Sequence, residues 1–221
     1  MISSPSNPSS KIAAEPPALP ASTFSFGALA RRPETGSFIG LVAVFVFFSV
    51  FGGANFLSAG GAASWLNVAS ELGIIALPIG LLMIAGQLDL SVGSVLPAAS
   101  MTVAIVSGYY GAPMIVGIAA ALALGLIIGL INGILVVRTR LPSFVVTLAT
   151  LFAVAGLTLG LSVILTGSTS VALTSPPVAK ALLGDFIGDK FQVSLFWWIA
   201  VVAIVGFLLN YSIYGLSLIH I

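Results

Sequence analysis

The sequence predicts an all-α fold, a polytopic transmembrane helical bundle with about six spans. Of the 221 residues, 59% are hydrophobic and only 6% are charged, and the mean hydropathy is +1.21. Soluble domains carry about a quarter charged residues. This composition therefore excludes a soluble enzyme, a nucleic-acid-binding protein and a disordered protein for the chain as a whole. Helices are the expected spanning elements, because lipid offers no partner to an unpaired backbone group.

The charged and chemically reactive residues point away from catalysis. The net charge of +1 provides no basic surface for nucleic acid. The chain has no cysteine, and its one histidine is His220. No metalloprotease, nucleophile-elbow or phosphate-binding loop motif is present. We therefore predict no catalytic residue, no metal site and no cofactor, and we expect any ATP hydrolysis on a separate subunit.

Charged residues are so few that they divide the chain into spans. The stretch 90–137 has 48 residues without a charge, which as one helix would measure ~72 Å. The hydrocarbon layer is ~30 Å thick, so this stretch must hold two spans and a turn, which we place at Tyr109–Pro113. The same reasoning gives six spans: 37–57, 68–87 (interrupted by Pro78), 92–108 (with Pro97 near its start), 113–137, 143–166 and 194–211.

The cations set the expected orientation. Residues 1–36, rich in Ser, Pro and Ala, are expected to form a disordered cytoplasmic tail, followed by a membrane domain over 37–215. An even number of spans separates two groups of cations, which are Lys11, Arg31 and Arg32, and Arg138 and Arg140. Both groups should therefore lie in the cytoplasm, and the loop 167–193 should lie outside.

Small residues follow one face of the fourth span. They recur every fourth position, at Gly117, Ala121, Gly125, Gly129 and Gly133, and predict a helix-packing face. Asn132 borders this face. Its side chain either lies on a polar pathway or forms an interhelical hydrogen bond, and the second interpretation is favoured.

Hydroxyl side chains follow one side of the fifth span. Thr147, Thr150, Thr158 and Ser162 fall within an arc of ~120° at about 100° per residue. Such a stripe either lines a route for a polyhydroxylated solute or bonds back to its own helix. The sequence does not decide between the two.

Two carboxylates flank the second span. Glu71 is expected at the outer interface, whereas Asp89 lies with Ser91 in a polar, glycine-containing joint between two spans. The joint indicates a broken helix whose freed groups face a cavity. Alternatively, Asp89 caps the next helix with help from Ser91.

Three short motifs lie at or beside span boundaries: Gly86–Ser94 (GQLDLSVGS), Gly129–Val136 (GLINGILV) and Leu141–Leu148 (LPSFVVTL). In this order and spacing they resemble one family, the inner-membrane permeases of bacterial ABC importers for ribose, xylose, galactose and related sugars. The resemblance implies a homodimeric subunit in the lipid of the bacterial inner membrane, with its N-terminus in the cytoplasm. It also implies ATP-binding subunits as partners on the cytoplasmic side and a periplasmic sugar-binding protein on the other.

The resulting hypothesis is a translocation pathway for a monosaccharide or related polyol, lined by Asp89, Ser91, Asn132, Thr147 and Thr150. The alternatives are an ion-coupled secondary transporter and a branched-chain amino-acid-type ABC permease. Two departures from the family pattern stand out. Gln87 replaces the usual glycine, and residues 216–221 are expected to be a non-native end of a truncated chain, because family members are longer.

Overall fold

The computed structural model describes residues 33–212 and divides the chain into two units, Met1–Gly53 and Ala54–Ile221. In the first unit, α1 runs from Pro33 to Phe51. It begins four residues before the expected start of the first span. The rest of the predicted tail, and the predicted non-native end, lie outside the described residues.

The second unit is almost entirely helical. Its elements are α2 (Ala59–Ile84), α3 (Val92–Val103, extended by a π-helical turn over Ala104–Tyr109), α4 (Met114–Thr139), α5 (Ser143–Thr166), the short α6 (Pro177–Ala179, extended by a π-helical turn over Lys180–Gly184), β1 (Phe186–Ile187), β2 (Phe191–Gln192) and α7 (Ser194–Tyr211). Five of the described helices are long and apolar enough to cross a membrane. These are α2, α3 with its π-helical turn, α4, α5 and α7. The all-α polytopic prediction is confirmed, although the apolar part of α1, Thr35–Phe51, is shorter than these five.

Helix packing in this unit relies on small side chains. α3 packs against both α4 and α5, and α2 packs against α7. The side chains with the least exposure are Ser70, Ser91 and Ser162. Large apolar side chains point outward along every long helix, as expected where lipid rather than water is the solvent.

α2 begins earlier than the sequence indicated, at Ala59 rather than near residue 68. Its start is fixed by Ser58, whose side chain accepts a hydrogen bond from the Gly61 amide at 3.1 Å. This cap satisfies an amide that would otherwise lack a partner at the helix start. The helix then continues through Pro78.

Two turns decide how the long helices connect. The predicted turn between the third and fourth spans is confirmed, and Gly111 adopts the left-handed region at φ +69°. After α4, Arg140 occupies the same region at φ +56°. It does so without the freedom of glycine, and α5 begins three residues later.

The loop 167–193 contains a small antiparallel hairpin that the sequence analysis did not predict. Phe186 pairs with Gln192, and Ile187 pairs with Phe191. In the turn, Gly188 and Asp189 both have positive φ, at +60° and +57°. This is the combination that a type I′ turn requires, and its twist suits a two-stranded hairpin.

The predicted small-residue face of α4 is used unevenly. At Gly117, an added Cβ would lie 2.3 Å from Ser107 Oγ, so α4 and the π-helical turn of α3 pack in close contact. At Gly125, the nearest atom would be Val95 Cγ1 at 3.9 Å. Gly129 and Gly133 have nothing within 4 Å of that position. The closest packing is therefore near the start of α4.

Candidate functional site

The joint between α2 and α3 begins with a tight helix ending. The Gln87 amide donates to the Leu82 carbonyl and the Gly86 amide donates to the Met83 carbonyl, each at 3.0 Å. Gly86 has φ +74°, so these bonds form the Schellman motif that glycine favours. The backbone thereby leaves α2 abruptly, which places Asp89 beside the start of α3.

Asp89 binds Ser91, the residue that immediately precedes α3. Its Oδ1 accepts hydrogen bonds from the Ser91 amide at 2.8 Å and from Ser91 Oγ at 2.5 Å. Ser91 is only 1% exposed, whereas Asp89 is half-buried. The carboxylate therefore holds the turn that leads into α3, whereas the N-cap residue of that helix, Ser91, makes no side-chain cap hydrogen bond.

The same serine connects this joint to α4 and α5. Asn132 Nδ2 donates to Ser91 Oγ at 2.9 Å, and Thr150 Oγ1 donates to Asn132 Oδ1 at 2.6 Å. Asn132 is 4% exposed. The interhelical hydrogen bond expected for Asn132 is thus present on both sides of its amide group.

Thr147 holds the backbone of the joint. Its Oγ1 accepts from the Leu90 amide at 3.1 Å and donates to the Ser143 carbonyl at 2.8 Å. Ser143 Oγ accepts from the Leu88 amide at 3.1 Å. The break between α2 and α3 leaves the Leu88 and Leu90 amides without partners inside a helix. The hydroxyls of Ser143 and Thr147, at the start of α5, accept hydrogen bonds from these amides instead.

All five residues predicted for the pathway thus lie around this joint, in a group that we name the joint network (Asp89, Ser91, Asn132, Ser143, Thr147 and Thr150). Side-chain hydrogen bonds link four of them, whereas Ser143 and Thr147 bind the backbone of the joint. Its donors point in one direction, from Thr150 through Asn132 and Ser91 to the Asp89 carboxylate. Hydrogen bonds that end on a charged acceptor are about twice as strong as neutral ones. The network therefore links one acidic group, through Ser91, to side chains of α4 and α5.

The hydroxyl stripe of α5 is divided between back-bonding and cavity lining. Thr158 Oγ1 donates to the Val154 carbonyl at 2.7 Å, and Ser162 Oγ donates to the Leu159 carbonyl at 2.9 Å. Thr150 and Thr158 also line a cavity of about 400 Å³ between α3, α4 and α5, whose other lining residues are apolar except Thr102. Ser162 is fully buried and does not line this cavity.

A second polar cluster, at the hairpin end of α2, was missed in the sequence analysis. Asn67 contacts the backbone of β2, and Ser70 contacts Ser194 at the start of α7. Glu71, the other carboxylate considered, is exposed. The available signal was an Asn and a Ser three residues apart on one helical face within an apolar segment.

Comparison with known proteins identifies the family. Residues 61–221 match the family described as "Branched-chain amino acid transport system / permease component". The chain belongs to this family. Together with the five apolar helices, membership makes it a multi-pass protein of the inner membrane.

Individual relatives carry sugar-related names. The xylose transport system permease protein XylH of Haemophilus influenzae is 34% identical over 152 residues, which cover 68% of this chain and 40% of that protein. XylH of Escherichia coli K12 is 32% identical over 140 residues, covering 63% of this chain and 35% of the relative. The fructose import permease protein FrcC of Rhizobium meliloti is 32% identical over 120 residues, covering 54% and 33% respectively.

The matched region spans less than half the length of these relatives. No solved structure matches the chain.

Proposed function

We propose that this chain is part of the permease subunit of an ATP-driven ABC importer, and that the subunit forms the membrane pathway for a monosaccharide or related polyol. The family match over residues 61–221 carries the proposal. The names of the xylose and fructose permeases support the substrate class. ATP hydrolysis is assigned to cytoplasmic ATP-binding subunits, and substrate delivery to a periplasmic sugar-binding protein.

The proposed assembly is a homodimer with the N-terminus in the cytoplasm. The joint between α2 and α3 and the turn after α4 lie at one end of the bundle, since the Leu88 amide bonds to Ser143 at the start of α5. The loop 167–193 lies at the other end, where its Ala172 carbonyl would be 2.5 Å from a Cβ on Gly108 in the π-helical turn of α3. With Arg138 and Arg140 at the joint end, the positive-inside rule puts that end in the cytoplasm.

Asp89, Ser91, Asn132, Thr147 and Thr150 are the residues proposed to lie on the pathway. The support is their convergence at a break between two membrane helices. Polar groups at such breaks are tolerated where they face protein or a water-filled cavity.

The first test is genetic. The source locus is sequenced beyond the codon for Gly215 and through the neighbouring genes. We expect the frame to continue into further spans beside genes for an ATPase and a secreted sugar-binding protein. A frame that stops at Ile221 in a locus without such partners would contradict the proposal.

The second test is uptake by the complete importer. Asp89→Ala is expected to impair uptake of labelled monosaccharide at normal expression, because the joint network loses its carboxylate. Glu71→Ala, which removes the exposed carboxylate of α2, is the matched control and should retain uptake. Wild-type uptake by the Asp89 variant would remove Asp89 from the pathway.

A second candidate is a branched-chain amino-acid permease, which the description of the matching family favours. Competition of labelled xylose or fructose uptake by unlabelled leucine separates the two. Uptake that survives inactivation of the partner ATPase and collapses with the ion gradient would instead show an ion-coupled secondary transporter.

A further inference from the structure

The cluster at the hairpin end of α2 joins a helix side chain to the backbone of a strand. Asn67 Nδ2 donates to the Lys190 carbonyl at 2.9 Å, and the Gln192 amide donates to Asn67 Oδ1 at 2.9 Å. A carboxamide presents a donor and an acceptor side by side. Asn67 therefore pairs with β2 much as the edge of another strand would, and it is only 9% exposed.

Neighbouring positions on the same face of α2 continue this attachment. Ser70 Oγ donates to the Asn67 carbonyl at 2.7 Å and lies 2.8 Å from Ser194 Oγ. At Gly73, an added Cβ would lie 2.2 Å from Trp198 Nε1. Asn67, Ser70 and Gly73 thus contact successively later parts of the chain, from β2 into α7, which fixes the hairpin in one register on α2. We name Asn67 and Ser70 the clasp.

The hairpin region combines a high density of charged residues with two exposed apolar side chains. Four of the nine charged residues between Pro33 and Ser212 lie within 180–190, namely Lys180, Asp185, Asp189 and Lys190. Such a density of charge opposes a position within lipid. Phe186 and Ile187 are nevertheless each 48% exposed, and an exposed aromatic among charges of both signs is typical of a protein interface.

We propose that the clasp positions the hairpin as a pre-ordered docking element for the soluble substrate-binding protein. This inference rests on the proposed function, which supplies that partner. Asn67 and Ser70 are positioning residues, because they act on the partner only through the hairpin. A hairpin ordered before the encounter binds more tightly than one that must become ordered on binding.

The first experiment tests the clasp without any partner. The chain has no native cysteine, so Asp189→Cys carries a single nitroxide label at the hairpin turn, in the chain reconstituted into liposomes. We expect Asn67→Ala to increase the label's mobility in the electron paramagnetic resonance spectrum. Ser70→Ala should increase it less. Spectra identical to that of the parent would overturn the proposal.

Two controls separate a released hairpin from a misfolded chain. Asn210→Ala removes an amide that donates to the Gly206 carbonyl within its own helix, and it should leave the hairpin label unchanged. A label at Leu122, an exposed position on α4, should be unchanged by Asn67→Ala. If Asn67→Ala also makes the Leu122 label mobile, that variant is misfolded and Ser70→Ala replaces it in the test. The proposal then requires that Ser70→Ala raise the mobility of the hairpin label and leave the Leu122 label unchanged.

The second experiment uses the complete importer with the purified binding protein encoded at its locus. Asn67→Ala is expected to raise the half-saturating concentration of binding protein about tenfold, with the maximal uptake rate retained. A mobile hairpin with an unchanged half-saturating concentration would overturn the docking role alone. Absence of uptake by the wild-type importer with its binding protein would instead refute the proposed function.

Discussion

The two buried polar clusters of this membrane bundle, the joint network and the clasp, solve different problems. The joint network ends on a carboxylate and satisfies amides freed by a helix break. The clasp contains no charge and pairs a side chain with the backbone of a strand. The first therefore supplies partners to a half-buried acidic group and to the backbone of a helix break, whereas the second fixes the hairpin against α2.

Because only the joint network contains a carboxylate, that of Asp89, we expect substitutions there to lower the free energy of unfolding more than substitutions in the clasp. Loss of a hydrogen-bond partner raises the free energy of a buried charged group more than that of a buried amide or carbonyl. In the joint network, Ser91 and Asn132 each link two other side chains, so loss of either removes a hydrogen bond on both sides. In the clasp, both partners of the Asn67 side chain are neutral backbone groups.

The largest effect is expected for Ser91→Ala. It removes a donor from Asp89 and the acceptor of Asn132 Nδ2 in a nearly inaccessible position. We expect a loss of about 2–4 kcal/mol in the free energy of unfolding, measured by SDS titration in mixed micelles. Ser49→Ala, in which the lost hydroxyl is exposed and bonded within α1, is the control. A loss below about 0.5 kcal/mol, the range of ordinary surface substitutions, would mean that the network contributes nothing to stability.

A steric comparison comes next. Gly73→Ala places a methyl group against the ring of Trp198 and should destabilise the chain by about 1–3 kcal/mol through overpacking. Gly125→Ala meets its nearest neighbour at 3.9 Å and should be neutral or stabilising by up to about 1 kcal/mol, because alanine favours helices. Thermal unfolding in one detergent measures both. Equal effects would show that the close contact seen at Gly73 is relieved at no cost.

Asn67→Ala should have a smaller effect than Ser91→Ala, about 1–2 kcal/mol in the same SDS titration. The variant deprives the Lys190 carbonyl and the Gln192 amide of a neutral partner, and both lie near the water-facing hairpin. If the two losses are equal, charge is not what distinguishes the joint network from the clasp.

The smallest effects are expected within the hydroxyl stripe. Thr158→Ala removes a hydroxyl that bonds only its own helix and should change the free energy of unfolding by less than about 0.5 kcal/mol. Thr150→Ala removes the partner of Asn132 and should be unfavourable by about 1 kcal/mol. Calorimetric unfolding of the pair shows whether membership in the joint network matters. A larger loss for Thr158 would reverse that conclusion.

The sequence revealed the joint network because its members are individually conspicuous. Asp89 and Asn132 are polar residues in apolar surroundings, where polar groups are unfavourable unless partnered. Thr147 and Thr150 lie one turn apart on a helix, so their shared side follows from helical periodicity. The identity of their partners did not follow, because Asn132 and Ser91 are brought together only by the packing of α4 on α3.

The clasp was missed for two physical reasons. The second span was predicted to begin at residue 68, so Asn67 was placed outside it, whereas the Ser58 cap starts α2 at Ala59. In addition, Asn67 bonds to residues more than 120 positions later, and no local pattern encodes such a pair. The hairpin itself did leave a signal, since Gly188 and Asp189 form a turn dipeptide between apolar residues.

Arg140 follows the last residue of α4 and has φ +56°. At this position the folded backbone and the process of membrane insertion favour different residues. A non-glycine residue in this backbone region is strained by about 1–2 kcal/mol, and glycine would relieve the strain. Yet the positive-inside rule acts on the nascent chain during insertion, and glycine would remove one of the two cations at the end of α4, Arg138 in its last turn and Arg140 just after it. The positive-inside rule and the backbone geometry of this turn therefore favour different residues at position 140.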